Sequence, residues 1–152
     1  ARVTASSTDT ACTTVTGVRT RAAASATVTG SPNSASEESS VAQDRIVFDV
    51  NVFGLIRMTK AVLPHMRAQR SGRVINMSSV GGFAPQPFMA SYVASKHAVE
   101  GYSESVDHEV REHGVRVLLV EPAGTKTGFD DNTTPPDNPL LACLQPSGLR
   151  TE

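Results

Sequence analysis

The stretch S91-Y-V-A-S-K-H-A-V-E-G-Y-S-E-S-V-D-H-E-V-R-E-H-G114, followed by V115-R-V-L-L-V-E-P122, decides the fold. Apolar residues recur at helical spacing from about 91 to 113. Gly114 then suits the left-handed position that closes a helix. Val115–Val120 is almost unbroken apolar sequence, which suits a parallel strand covered on both faces. Pro122 ends it.

Upstream the same grammar appears once more. Ser40-Val-Ala-Gln43 reads as a capping box. A helix over roughly 41–70 follows, with Ile46, Val47, Val50, Phe53, Ile56 and Met58 as its apolar positions. Pro64 is expected to kink it or start a new turn, and Ser71-Gly72 breaks it. Arg73–Ser78 reads as a short strand, and Val80 to about Ala90 as a Gly/Pro-rich loop. Helix, strand, helix, strand predicts an α/β sheet with right-handed crossovers.

The ends differ from this core. Residues 1–40 contain no Leu, Ile, Met, Phe, Tyr, Trp or Lys. Such a segment buries too little apolar surface to offset its ordering entropy. Thr14–Gly17 and Ala26–Gly30 are the two pieces that can extend as poor strands. Three regions result: a low-complexity segment over 1–35, a core over 36–130 and an irregular tail over 131–152.

The bulk numbers exclude several functions. The chain has 152 residues and a formal net charge of −1, with a pI near 6.5. Neither draws it to nucleic acid or to an acidic membrane. No apolar run is long enough to span a bilayer, and no signal-peptide core is visible at the N-terminus. Cys12 and Cys143 form neither a metal-ligand spacing nor a disulfide framework. A reducing cytoplasm is the default expectation.

Three side chains suggest chemistry. Tyr92 and Lys96 stand four apart on one helix and share a face. A free phenol is too weak a base near neutral pH, but a fixed ammonium beside a phenol favours the phenolate. The pair can serve as general base toward an alcohol or general acid toward a carbonyl. The other reading of the pair is an amphipathic helix with a solvated lysine. Ser79 falls where a strand runs out into a loop, the place where open α/β sheets bind ligands. Its hydroxyl can hold a substrate oxygen, or simply cap backbone groups. Asn51 lies among Val47, Gly54 and Leu55, where a buried amide needs partners. It can hold a water or be a satisfied core polar group.

Together V50-N-V-F-G54, I75-N-M-S-S-V-G-G82, Y92-V-A-S-K96 and E121-P-A-G-T-K-T127 resemble the short-chain dehydrogenase/reductase family. The likeness covers about residues 36–130 and is nearest in look to the steroid- and retinol-dehydrogenase-like members. It implies a partial Rossmann-like, doubly wound parallel sheet, truncated or degraded at both ends. It implies an NAD- or NADP-dependent oxidoreductase acting on an apolar secondary alcohol or ketone. In that reading Tyr92 is the proton donor/acceptor. Lys96 eases its deprotonation and binds the nicotinamide ribose. Ser79 orients the substrate oxygen, and Asn51 anchors a proton-relay water. Pro122, Thr125 and Thr127 embrace the nicotinamide end, with Ala123 where the family usually has glycine. Phe83, Pro85, Phe88 and Met89 line an apolar substrate pocket, or else pack as ordinary loop residues. The helices over 41–70 and 91–113 imply a homodimer or homotetramer.

The family's glycine-rich turn has no clear counterpart: T16-G-V-R-T20 and T29-G-S-P-N33 begin like it and lack the later glycines. Where the NNAG stretch belongs, residues 26–29 read A-T-V-T. Residues 1 to about 34, and those after Leu140, are therefore expected to carry no family sequence, as a shifted reading frame would produce. The alternative function is a catalytically incompetent fragment that serves as a helix-mediated dimerisation or interaction module.

Overall fold

A computed structural model describes residues 13–16, 35–123 and 135–139. Three strands form one sheet in the order β1 (Thr13–Thr16), β2 (Gly72–Met77) and β3 (Val115–Val120). β2 and β3 pair in parallel, with Val74 opposite Val117 and Asn76 opposite Leu119. The helix α3 (Ala90–Val110) is the crossover between them. This is the predicted unit, and β3 has the predicted bounds. β1 overlaps the predicted weak strand Thr14–Gly17, but it runs antiparallel along β2. The described sheet is therefore mixed rather than purely parallel. The Ala26–Gly30 piece, both glycine-turn candidates beyond Thr16 and the tail after Pro139 lie outside the described residues.

The core forms on one face of the sheet. Val74, Val115 and Val117 meet Val62 and Met66 from α2 (Leu55–Ala68), with Val106 and Val110 from α3. Each such side chain contributes roughly 1.5–3 kcal/mol when fully buried. The opposite face corrects the expectation that β3 is covered on both sides. Leu118 is 38% and Val120 41% exposed. Strand residues alternate between faces, and α2 and α3 both pack against the side that carries Val115 and Val117.

The helix expected over 41–70 is three segments. α1 (Val41–Phe48) begins with the predicted capping box: Gln43 N donates to Ser40 Oγ at 3.2 Å and Ser40 N to Gln43 Oε1 at 3.4 Å. Asp49–Gly54 is then wound as a π turn, and α2 follows directly. Val47 and Val52 stand five apart, the π spacing, and both are buried. This change of phase throws the expected face out of register. Ile46 and Phe53 are each 52% exposed. Pro64 neither starts a new turn nor ends the helix, which runs on to Ala68. Its missing N–H frees the carbonyl of Lys60, an exposed residue where water can satisfy it.

Two further features lock the core. Gly114 takes φ +73°, closing α3 through one 3-10 turn as predicted. Asp107, buried near the end of α3, accepts from Val117 N at 2.8 Å, Arg116 Nε at 2.9 Å and Arg111 Nη2 at 2.7 Å. Arg116 above all, then the Val117 N–H, lowers the carboxyl to about 2, against the opposing pull of burial.

Candidate active site

The carboxyl ends of β2 and β3 build the site. Ser78 N donates to Val120 O at 2.8 Å, and Val80 N to Pro122 O at 3.2 Å. These bonds bring Pro122 beside the turn that carries Ser79. That turn, Val80–Gly82, is a single 3-10 turn. Gly81 N donates to Ser79 Oγ at 3.2 Å. A hydroxyl that accepts one such bond keeps its own proton to donate.

Tyr92 and Lys96 lie in the first two turns of α3, on one face as predicted. Lys96 Nζ is 5.6 Å from the centre of the Tyr92 ring, within cation–π range. It also donates to Met77 O, at the end of β2, at 3.0 Å. Lys96 is only 9% exposed, so its ammonium is held rather than solvated. Gly81 lies between Ser79 and Tyr92. A Cβ there would stand 3.7 Å from Ser79 Oγ and 3.5 Å from Tyr92 Cε1. The three candidate residues therefore converge. The other tyrosine, Tyr102, packs against the core with Leu55 and Val99, and burial pushes its phenol up from its ordinary value.

Asn51 joins the group from behind. The π turn buries it, and its Nδ2 donates to Ser95 Oγ at 3.0 Å. Ser95 Oγ in turn donates to Tyr92 O at 2.6 Å. A π turn within a helix often marks a functional position. Here it carries the amide that reaches the helix bearing Tyr92 and Lys96.

The predicted apolar pocket is only partly gathered. Phe83 is 59% exposed and Pro85 points outward, while Phe88 and Met89 are half-buried. Phe88 takes φ +60°, an uncommon conformation for a bulky residue, just ahead of α3. Thr125 and Thr127 lie outside the described residues. Sequence reasoning missed Ser95, although its place three residues after Tyr92 put it on the same stretch of helix. It also missed Asn76, whose Nδ2 donates to Ser103 Oγ at 2.8 Å and ties β2 to α3. Among the described residues there is no cluster of metal-ligating side chains, and no helix is long and apolar enough to cross a membrane.

Known proteins resemble the chain in sequence and in fold. A 3-ketodihydrosphingosine reductase of Bacteroides thetaiotaomicron is 50% identical over 84 residues, which is 55% of this chain and 31% of that protein. A short-chain dehydrogenase from Streptomyces avermitilis superposes with a TM-score of 0.60 at 41% identity, covering 62% of this chain and 36% of its own. A 4-hydroxyisoleucine dehydrogenase complexed with NADH superposes at 0.62 with 26% identity, covering 64% of this chain and 41% of its own. The chain thus spans about a third of the length of the curated relatives it matches. The short chain dehydrogenase family itself matches residues 21–138, wider at both ends than the expected 36–130 and reaching into the segment expected to carry no family sequence. With that match across most of its length, the chain belongs to the short-chain dehydrogenase family.

Proposed function

We propose that the protein is an NAD- or NADP-dependent oxidoreductase that interconverts an apolar secondary alcohol and its ketone. The observation that carries this reading is the convergence of Ser79, Tyr92 and Lys96 at the ends of two parallel strands. The residues present fit the nicotinamide ribose half of such a cofactor. Lys96 holds a buried ammonium beside Tyr92, and Pro122 is fixed against the Ser79 turn. The cofactor would supply or accept the hydride at the substrate carbon.

The chain's own residues handle the proton. In the reductive direction Ser79 O–H donates to the substrate oxygen and steadies charge building on it. The Tyr92 phenol passes its proton to that oxygen, and in the oxidative direction takes it back. Lys96 holds a positive charge beside the phenol, 5.6 Å from the ring centre, and binds the ribose hydroxyls. Asn51, bonded to Ser95, holds the first turns of α3 in place and anchors the water that returns the proton. Half-buried Phe88 and Met89 supply the apolar contact for the substrate. Titrating the protein into NADH or NADPH tests the reading. Enhanced nicotinamide fluorescence is expected, and none at millimolar cofactor refutes it.

Exposed Ile46 and Phe53 favour a second part of this reading. They lie on the helical run over 41–70 that is proposed to pair with a second subunit, giving a homodimer or homotetramer.

A further inference from the structure

Two buried oxygens next to the Ser79 turn have no hydrogen-bond partner among the described residues: Ser78 Oγ and Glu100 Oε1. Buried polar atoms left so are rare and call for an explanation. Both face one point. A Cβ on Gly82 would stand 2.6 Å from Ser78 Oγ and 2.7 Å from Glu100 Oε1. The two oxygens are therefore at most about 5.3 Å apart, so at most one water separates them. Glycine at 82 lets both oxygens approach, since a Cβ there would overlap them.

Their place gives the pair a role. Glu100 is four residues after Lys96, so Tyr92, Lys96 and Glu100 share one face of α3. Ser78 immediately precedes Ser79. Gly82 N donates to Ser79 O at 2.7 Å, closing the turn on its other side. A link from Ser78 to Glu100 therefore pins the start of the Ser79 turn to the helix that bears Tyr92. We infer that Ser78 and Glu100 are linked, through at most one buried water, and act as positioning residues, fixing the Ser79 hydroxyl against Tyr92. This inference rests on the role of Ser79 proposed above.

The test uses Ser78→Ala, Glu100→Ala, the double variant and Ser78→Thr, which keeps the hydroxyl. Amide hydrogen exchange at Gly81 and Gly82 reads the turn without requiring turnover. Each alanine variant is expected to speed that exchange about tenfold, the double variant no further, and threonine to restore protection. In turnover assays kcat should fall with the alanine variants while KM for the cofactor holds. Unchanged exchange in both alanine variants, independent effects in the double variant, or a threonine that fails to rescue would each overturn the link. Faster exchange with kcat intact would overturn the positioning role. If the wild type shows no turnover, the proposed activity fails, while the exchange data still decide the link.

Discussion

Asn51 Nδ2 lies 3.0 Å from Ser95 Oγ, and this bond joins the π turn to the residue just before Lys96. Both partners are buried, so losing either leaves a polar group with one bond fewer and no water to replace it. Asn51→Ala is expected to cost about 1–3 kcal/mol in urea unfolding. Ser95→Ala should cost less in the Asn51→Ala background than alone, by about 1 kcal/mol. Additive costs would mean that the two side chains do not act together.

Asp107 gives a pH signature. Its folded carboxyl is held at about 2, below its ordinary 3.8. A depressed carboxyl stabilises the fold above the unfolded value and loses that contribution as pH falls toward the folded one. Asp107→Asn should therefore cost about 1–2 kcal/mol at pH 7, discounted because Arg111 and Arg116 are about half exposed and screened. The gap between wild type and variant should shrink between about pH 4 and pH 2 in chemical denaturation. A gap independent of pH would show that the carboxylate is not the stabilising group.

Gly114 tests the seam between α3 and β3. At φ +73° a side chain is strained, and a Cβ would stand 2.2 Å from Arg70 O. That neighbour is backbone and cannot swing aside. Gly114→Ala is expected to cost about 2 kcal/mol or more and to lower Tm by several degrees. A variant of wild-type Tm would mean that the turn has another conformation.

Phe53 tests the proposed subunit contact. Phe53→Glu puts a charge on an exposed apolar position and should shift sedimentation from dimer or tetramer toward monomer. A wild type that sediments only as a monomer would remove the contact.

Much of the fold can be read from sequence because its elements are punctuated. Gly114 and Pro122 bracket an apolar run, and β3 falls between them. The Ser40–Gln43 box marks the start of α1 in the same way. The π turn is not punctuated: one extra residue between Val47 and Val52 leaves an apolar pattern that a regular helix also fits. Ile46 and Phe53 fit that pattern as well as Val47 does, yet they are exposed. β1 was legible as a weak strand, but not its direction, because its partner β2 lies more than fifty residues away and local pattern carries no information on pairing. Tyr92, Lys96, Ser79 and Asn51 of the proposed site stand out in the sequence because chemistry and spacing coincide in them. Ser95, Ser78 and Glu100 do not, since what distinguishes them is what they face in space.

The most direct test of the account is NADH- or NADPH-dependent reduction of an apolar ketone by the wild type and by Tyr92→Phe. The substitution removes one oxygen atom from a side chain that packs against Gly81, so the fold should survive, with an unchanged Tm. The account predicts that the wild type consumes reduced cofactor and that Tyr92→Phe loses at least about a hundredfold in kcat, the scale of a lost general acid. Turnover by Tyr92→Phe at the wild-type rate would contradict it.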